Sequence, residues 1–304
     1  MSAPAPIVVF AYRRPEHLRN TLATLIRCDG FADSPVVVYC DGARNPAEYD
    51  AVMATRRIAQ EMLGEAAEYH FSEVNQGLSR SVIDGVTEML TRYDRVIVIE
   101  DDLELSPGFL KYMNEALARY ADVQNVFQVS GYMFDVPELA GNREALFFPV
   151  TVSWGWGTWR RAWDSFDPEA KGWEGLRSDA ALRQRFNLQG AFDYATMLFR
   201  QMEGMRDSWA IRWYWTVFKA SGLVVFPPVS LVHNKGFDGS GSHGRGWLRR
   251  FSGECHRYHD GDIVLPETAQ FSQEQYRFML AALRCQNGGP MARIADAVRR
   301  IFRS

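Results

Sequence analysis

The sequence predicts an α/β protein on a mainly parallel, doubly wound sheet with helices on both faces, and three observations predict it. Short β-branched runs alternate with amphipathic stretches at helical spacing through about the first hundred residues. The run Arg95-Val96-Ile97-Val98-Ile99 is apolar without alternation, the pattern of a strand buried on both faces. Four strand–helix units follow one another, and such a succession needs the crossovers of a parallel sheet.

Ile7-Val8-Val9-Phe10 is too short for a helix and reads as the first strand. Pro15 suits a first helical turn, and Leu18, Leu22, Leu25 and Ile26 recur at helical spacing behind it. Val36 to Tyr39 is the second strand. Asn45-Pro46 opens a helix carrying Val52, Ile58 and Met62, and Glu68 to Phe71 forms a third strand. Ser79 starts a helix with Val82, Val86 and Leu90 on one face. Beyond Asp102 the pattern loosens into a helix from Ser106-Pro107 to about Tyr120 and a strand over Val126 to Val129. All nine tryptophans lie between Trp154 and Trp247, so composition divides one domain into unlike parts. Residues 1–120 read as a nucleotide-binding half, 121–270 as an aromatic, acceptor-side half and 271–304 as a helical tail.

A net charge of −3 over 304 residues gives no basic field for nucleic acid. Cys28, Cys40, Cys255 and Cys285 are too scattered for a zinc site or disulfide framework and read as free thiols of a reducing cytoplasm. No apolar run reaches the ~20 residues of a spanning helix, and no basic segment precedes the first apolar run as a secretory signal requires. The tail places Ile294, Ala297, Val298 and Ile301 on one face beside four arginines, which suits a helix packed on the domain or a peripheral contact with the inner face of a membrane.

Ligands of doubly wound sheets bind beyond the carboxyl ends of the strands, and Glu100-Asp101-Asp102 stands there. Adjacent carboxylates repel one another unless a cation is present, and their oxygens suit Mg²⁺ or Mn²⁺ shared with substrate phosphates. After the first strand, Ala11-Tyr12-Arg13-Arg14-Pro15 offers an aromatic face, two guanidinium groups and a helix N-terminus to a base, ribose or phosphate. Indole faces pack on the C–H faces of sugars, which singles out Ser153-Trp154-Gly155-Trp156-Gly157-Thr158-Trp159.

The stretch from Val96 to Phe109 resembles the metal-binding segment of GT-A glycosyltransferases of the family 2-like kind, most of all the group of the Golgi N-acetylglucosaminyltransferase that initiates complex N-glycans. The resemblance extends over residues 7–120 and weakens afterwards. It implies that Asp102 holds the metal, that Glu100 and Asp101 lie near the donor sugar and ribose, and that Ala11, Tyr12 and Arg13 touch the nucleoside. It further implies that Asp41 accepts from the uracil N–H, that Asn75 and Gly77 bring backbone close to the donor, and that Arg80 reaches phosphate. Similar Trp-Gly segments place Trp154 at the donor sugar. An inverting transfer needs a carboxylate base. Asp207, before Ser208-Trp209, resembles the family's base and is also placed as a helix N-cap; Asp164 is the second candidate. The polar, Gly-rich run from His233 to Gly244 reads as a mobile loop that closes over the diphosphate, with Lys235, Ser242 and His243 as phosphate contacts and His243 or His233 as a further metal ligand.

The implied activity is inverting transfer of a hexosyl group from a nucleotide sugar, UDP-sugars favoured, to a hydroxyl of a glycan or lipid-linked saccharide in bacterial surface polysaccharide synthesis. Two other classes compete. A sugar nucleotidyltransferase would need a Gly-rich loop after the first strand, where Ala11 to Pro15 has no glycine. A carbohydrate-binding protein would keep the tryptophans and need no acidic triplet. The absence of Gly-x-Gly-x-x-Gly after the first strand disfavours a dinucleotide site, and no P-loop motif occurs.

Overall fold

A computed structural model of the chain describes residues 3–236 and 262–286. The expected alternation appears in order: β1 (Ile7–Ala11), α1 (Pro15–Leu25), β2 (Val36–Cys40), α2 (Tyr49–Leu63), β3 (Ala67–Phe71), α3 (Leu78–Arg92) and β4 (Arg95–Glu100). There follow β5 (Leu103–Leu105), α4 (Phe109–Arg119), β6 (Val126–Ser130), β7 (Leu146–Phe148) and β8 (Trp156–Trp159). Three short helices come next, α5 (Arg160–Trp163), α6 (Gly175–Ser178) and α7 (Ala180–Phe186). The remainder is α8 (Tyr194–Met202), α9 (Trp209–Lys219), β9 (Leu223–Phe226), β10 (Val232–Asn234) and α10 (Gln273–Gln286).

Eight strands form one sheet in the order β3-β2-β1-β4-β8-β6-β9-β7. The first four run parallel. β8 lies antiparallel between β4 and β6, and β7 is antiparallel to β9, so the far half is mixed. Side-chain alternation explains why helices cover both faces. Ile7, Val9, Val38, Ile97 and Ile99 pack with Leu18 and Leu22 of α1, Ile58 of α2 and Met113 of α4. Val8, Phe10, Val37, Val96 and Val98 pack on the other face with Val82 and Val86 of α3 and Trp209, Trp213 and Val217 of α9. A third cluster joins α8, α9 and α10 to β7 and β9. Helix α9 serves two of these clusters, because Ile211, Tyr214 and Trp215 face the third while Trp209 and Trp213 face the second.

β1 sits between β2 and β4, so the loops leaving β1 and β4 diverge and open a crevice at the carboxyl edge. A second, two-stranded sheet forms beside it, where β10 pairs antiparallel with β5 and sets Asn234 opposite Leu103. Among the described residues no helix is long and apolar enough to cross a membrane. The arginine-bearing part of the tail, from residue 287 on, lies outside the described residues, as does Cys255. Cys28 and Cys40 are buried free thiols, and Cys285 is exposed and free.

The Trp-Gly segment accounts for the mixed half. Trp156 and Trp159 are core residues of β8, not pocket walls, at 0% and 3% exposure. Gly157 is required there for a measurable reason. A Cβ on it would stand 2.9 Å from the Val96 carbonyl oxygen and 3.1 Å from both Leu117 and Met113. Neighbouring backbone cannot retreat without losing sheet hydrogen bonds. Gly157→Ala is expected to cost about 1–3 kcal/mol, the range for overpacking a filled core. Urea unfolding followed by circular dichroism checks this, and an unchanged midpoint would contradict it.

Candidate functional site

The acidic turn is fixed from below by α1. Thr21 and Thr24 stand one helical turn apart on its buried face. The Thr21 hydroxyl donates to the Asp101 carbonyl at 2.8 Å and accepts from the Leu103 N–H at 3.1 Å. Thr24 accepts from the Leu105 N–H at 3.2 Å. From above, the Lys235 N–H donates to the Asp102 carbonyl at 2.8 Å, because the β10–β5 pairing carries the chain across it. Gly236 then lies against the Asp102 carboxylate so closely that a Cβ would meet Oδ2 at 2.1 Å.

One cation answers these acids. Arg14, the residue before Pro15 at the start of α1, bonds Asp101 Oδ1 through one guanidinium nitrogen and Asp102 Oδ2 at 2.9 Å through the other. The Tyr12 N–H donates to Asp101 Oδ2 at 3.2 Å. Asp102 Oδ1 is buried with no partner. Three carboxylates meet one guanidinium, so acid outnumbers base in the turn. The electrostatics follow. Burial first, then Asp102, pushes Glu100 up to about 8, against the pull of Arg14. Burial also raises Asp101, with Arg14 opposing. Burial disfavours the Arg14 charge, but Asp101 and Asp102 outweigh it and keep the guanidinium firmly protonated. A divalent cation fits this turn: acids outnumber the one guanidinium, its preferred ligands are carboxylate oxygens, and a buried carboxylate oxygen has no partner.

The turn lies in a cavity of about 640 Å³, within the range of small-molecule sites. Of the residues expected from sequence, the cavity gathers Ala11, Tyr12, Arg13, Asp41, Asn75, Gly77, Glu100, Asp101, Asp102, Trp154 and Asp207. Trp154 stands edge-on to Tyr132, ring centroids 4.6 Å apart. The Tyr12 hydroxyl donates to Glu48 at 2.5 Å, and Arg13 pairs with the same carboxylate at 2.7 Å.

Several expectations are corrected. Arg80 is outside the cavity, exposed and 3.3 Å from Asp84, because the first turn of α3 directs it to solvent. Asp164 is exposed at the end of α5 and does not line the cavity. The Lys235 side chain turns to Glu104 at 3.3 Å, and His233 stands 3.9 Å from Glu104, since both side chains lie beside β5 and not in the cavity. Ser242 and His243 lie outside the described residues. Asp41 is the largest revision. Its Oδ1 accepts from the N–H groups of Gly42 and Gln76, both at 2.8 Å. Its Oδ2 accepts from the Gly77 N–H and the Asn75 amide, both at 2.9 Å. Four donors fill the carboxylate, so Asp41 anchors the 75–77 loop instead of reading a base.

That loop positions Asp207. Gly77 has φ +83, and its Cα lies so near the carboxylate that a Cβ would meet Oδ2 at 2.9 Å. The Ser79 N–H donates to the same oxygen at 3.2 Å. Asp207 therefore caps α3, not the helix it precedes. Among the described residues its Oδ1 accepts no hydrogen bond and is left for a ligand. Sequence reasoning missed Asn234 and Gly236, which also line the cavity, together with Arg44 and Arg206. No local signal marks Asn234 and Gly236, because their place depends on a pairing across more than a hundred residues of chain.

A second gathering of acids and histidine, Glu68, His70 and Glu88, is answered internally. Arg92 holds both oxygens of Glu68, at 2.9 and 2.8 Å, and the Tyr39 hydroxyl donates to Glu88 at 2.9 Å.

Asp41→Ala is expected to lower the thermal midpoint with no nucleotide present, by the equivalent of roughly 2–3 kcal/mol, since donors to a charged acceptor lose their partner. Differential scanning calorimetry checks this. An unchanged midpoint in the free protein would return Asp41 to base recognition.

No protein-family model and no curated protein matches the chain. Among solved structures, GalNAc-T7 with UDP, GalNAc and Mn²⁺ is 10% identical, over 76% of this chain and 44% of its own, at TM-score 0.47. This chain thus spans under half of that protein's length. A mannosyltransferase from Pyrobaculum calidifontis in complex with GDP-Man and Mn²⁺ is 15% identical, over 72% of this chain and 69% of its own, at TM-score 0.39. A cytidylyltransferase from Leptospira borgpetersenii is 13% identical, over 55% and 64%, at TM-score 0.35. At such distance the chemistry rests on this chain's own side chains.

Proposed function

We propose that the chain is an inverting, divalent-metal-dependent glycosyltransferase of the GT-A type that moves a sugar from a nucleotide diphosphate to an acceptor hydroxyl. The observation that carries this is the buried, unpartnered Oδ1 of Asp102, in a turn where three acids meet one guanidinium, at the sheet edge where a cavity opens. Asp102 would hold Mn²⁺ or Mg²⁺, with Glu100, Asp101 and the Asn234 amide close by. When bound, the ion supplies Lewis-acid stabilisation of the departing diphosphate.

The chain's own groups account for the rest. Tyr12, Arg13 and the Asn75–Gly77 backbone form one wall, suited to a nucleoside. Arg14 offers its planar fork to phosphate oxygens. Asp207 presents Oδ1 to an acceptor hydroxyl while the Ser79 N–H holds Oδ2, so its free oxygen can take the proton as the new bond forms. The hydrogen bond at Oδ2 gives the carboxylate a fixed direction. Tyr132, Phe134, Trp154, Phe192 and Tyr214 wall another part of the cavity, suited to the C–H faces of sugars. A UDP-sugar donor and a glycan or lipid-linked saccharide acceptor, in bacterial surface polysaccharide synthesis, follow from the sequence resemblance.

Calorimetry with a panel of nucleotide sugars, with Mn²⁺ and with chelator, tests the reading. Uridine nucleotides are expected to bind best, and Asp102→Ala to abolish both the metal requirement and turnover. Wild-type turnover by that variant without metal would discard the assignment. Asp207→Asn retains an acceptor for the Ser79 N–H but loses the basic oxygen. Donor binding should persist while transfer falls by about 10²-fold or more, the scale of a lost general base. Near-normal transfer would remove Asp207 from the mechanism.

A further inference from the structure

We infer that Arg14 is a built-in counter-ion that makes cation binding at Asp102 depend on the nucleotide. The guanidinium lies across Asp101 and Asp102, and a diphosphate would offer it other oxygens and free the carboxylate oxygen it covers. The inference rests on the reading of residues 100–102 as the divalent-cation site.

Three features of the turn support it. Asp102 is boxed in, with its side chain 9% exposed. Oδ2 is taken by Arg14 at 2.9 Å on one side and pressed by Gly236 on the other, and Oδ1 alone is unengaged. A cation arriving alone therefore meets one unengaged oxygen and a positive charge on the same carboxylate, among side chains 9% and 17% exposed. Like charges so placed repel strongly, since low dielectric amplifies Coulomb energy.

Second, Arg14 cannot drift away unaided. Its backbone is the N-cap of α1, ahead of a proline at N1, and its carbonyl accepts from the Leu18 N–H at 3.0 Å. The side chain is 17% exposed and spans both acids, so leaving them without a replacement anion would strand a buried charge.

Third, Arg14 is suited to both partners where the other arginines are not. Arg13 is committed to Glu48, and Arg80 faces solvent beside Asp84. Arg44 and Arg206 line the cavity but make no ion pair with the acidic turn among the described residues. Arg14 touches the acids and also lines the cavity. Guanidinium matches phosphate oxygens as well as carboxylates, so transfer from one to the other keeps its hydrogen bonds. A cation and a diphosphate would then each lower the cost of binding the other, which is reciprocal coupling through one side chain. The consequence for function is protection: a cation is retained at the turn chiefly when a donor is there to use it.

Titration calorimetry with MnCl₂ alone, and with MnCl₂ at saturating UDP, on wild type, Arg14→Gln and Arg14→Lys tests this without any assay of turnover. In wild type, UDP is expected to tighten Mn²⁺ binding by about tenfold or more, within the usual span of coupling between sites. Arg14→Gln should bind Mn²⁺ alone about tenfold more tightly than wild type, and the gain from UDP should shrink by a similar factor. Arg14→Lys keeps the positive charge and should bind Mn²⁺ alone as weakly as wild type. Arg14→Gln binding Mn²⁺ alone no more tightly than wild type, in a protein whose circular dichroism and melting show it folded, overturns the counter-ion. Should that variant not fold, the wild type still decides, because Mn²⁺ affinity indifferent to UDP overturns it equally. No Mn²⁺ binding by wild type under either condition is a different result, and it removes the cation site itself.

Discussion

Carboxylates gathered at the end of a strand that cannot move impose the central constraint on this molecule. β4 is apolar on both faces, so Ile97 and Ile99 are committed to one layer of helices and Val96 and Val98 to the other. A slip of one residue would exchange both layers, so register is fixed. The acids that follow inherit that fixity. They cannot relax apart, and the single guanidinium within reach answers only part of their charge. Thr21 and Thr24 below and the β10–β5 pairing above close the ways in which the turn could open to solvent. Burial relieves part of the repulsion by raising Glu100, and the rest is left at the edge of the cavity.

A second rigid chain of contacts carries the other reactive group. Asp41 gathers the 75–77 loop, the loop sets Gly77 at positive φ where it leaves room for the Asp207 carboxylate, and the Ser79 N–H holds one oxygen of Asp207. Its outcome is direction. A carboxylate on an exposed turn would sample many orientations, and tethering one oxygen to a helix N-terminus leaves the other facing the cavity. The glycine is indispensable on two grounds, a left-handed φ and a clearance of 2.9 Å to the carboxylate. Both the acidic turn and the Asp207 carboxylate are thus oriented by backbone groups of the sheet–helix scaffold, the kind of support that keeps a side chain within a fraction of an ångström.

Legibility in the sequence followed the range of the forces involved. β1 to β4 and their helices were readable because hydrophobic period is a local signal, and the acidic turn was readable because a buried strand marks its own end. The antiparallel β8 was not, since Trp156-Gly157-Thr158-Trp159 alternates bulk with glycine and its strand character comes from β4 and β6 on either side. The tryptophans there resembled a sugar platform and proved to be core, while Trp154, just before the strand, reaches the cavity. Asp41 looked like a ligand group because sequence cannot count donors: three arrive from a loop thirty-odd residues on, and the fourth is the N–H of its neighbour Gly42. Asp207 was placed at a helix start correctly in sequence but at the wrong helix in space.

Two adjacent arginines make the limit sharper. Arg13 and Arg14 share a loop, a charge and a composition, and nothing in the sequence separates them. Helix α1 separates them: Pro15 fixes where the helix begins, so Arg14 becomes its N-cap and points back across the sheet edge, while Arg13 turns outward to Glu48. One side chain becomes part of the electrostatics of the acidic turn, and its neighbour buttresses Tyr12 through a shared carboxylate. Exchanging their roles would require moving the helix start by one residue, which would rotate Leu18 and Leu22 out of the core. The packing of α1 on the sheet therefore determines which arginine meets the acids, and hydrophobic burial far from the cavity sets the charge balance inside it.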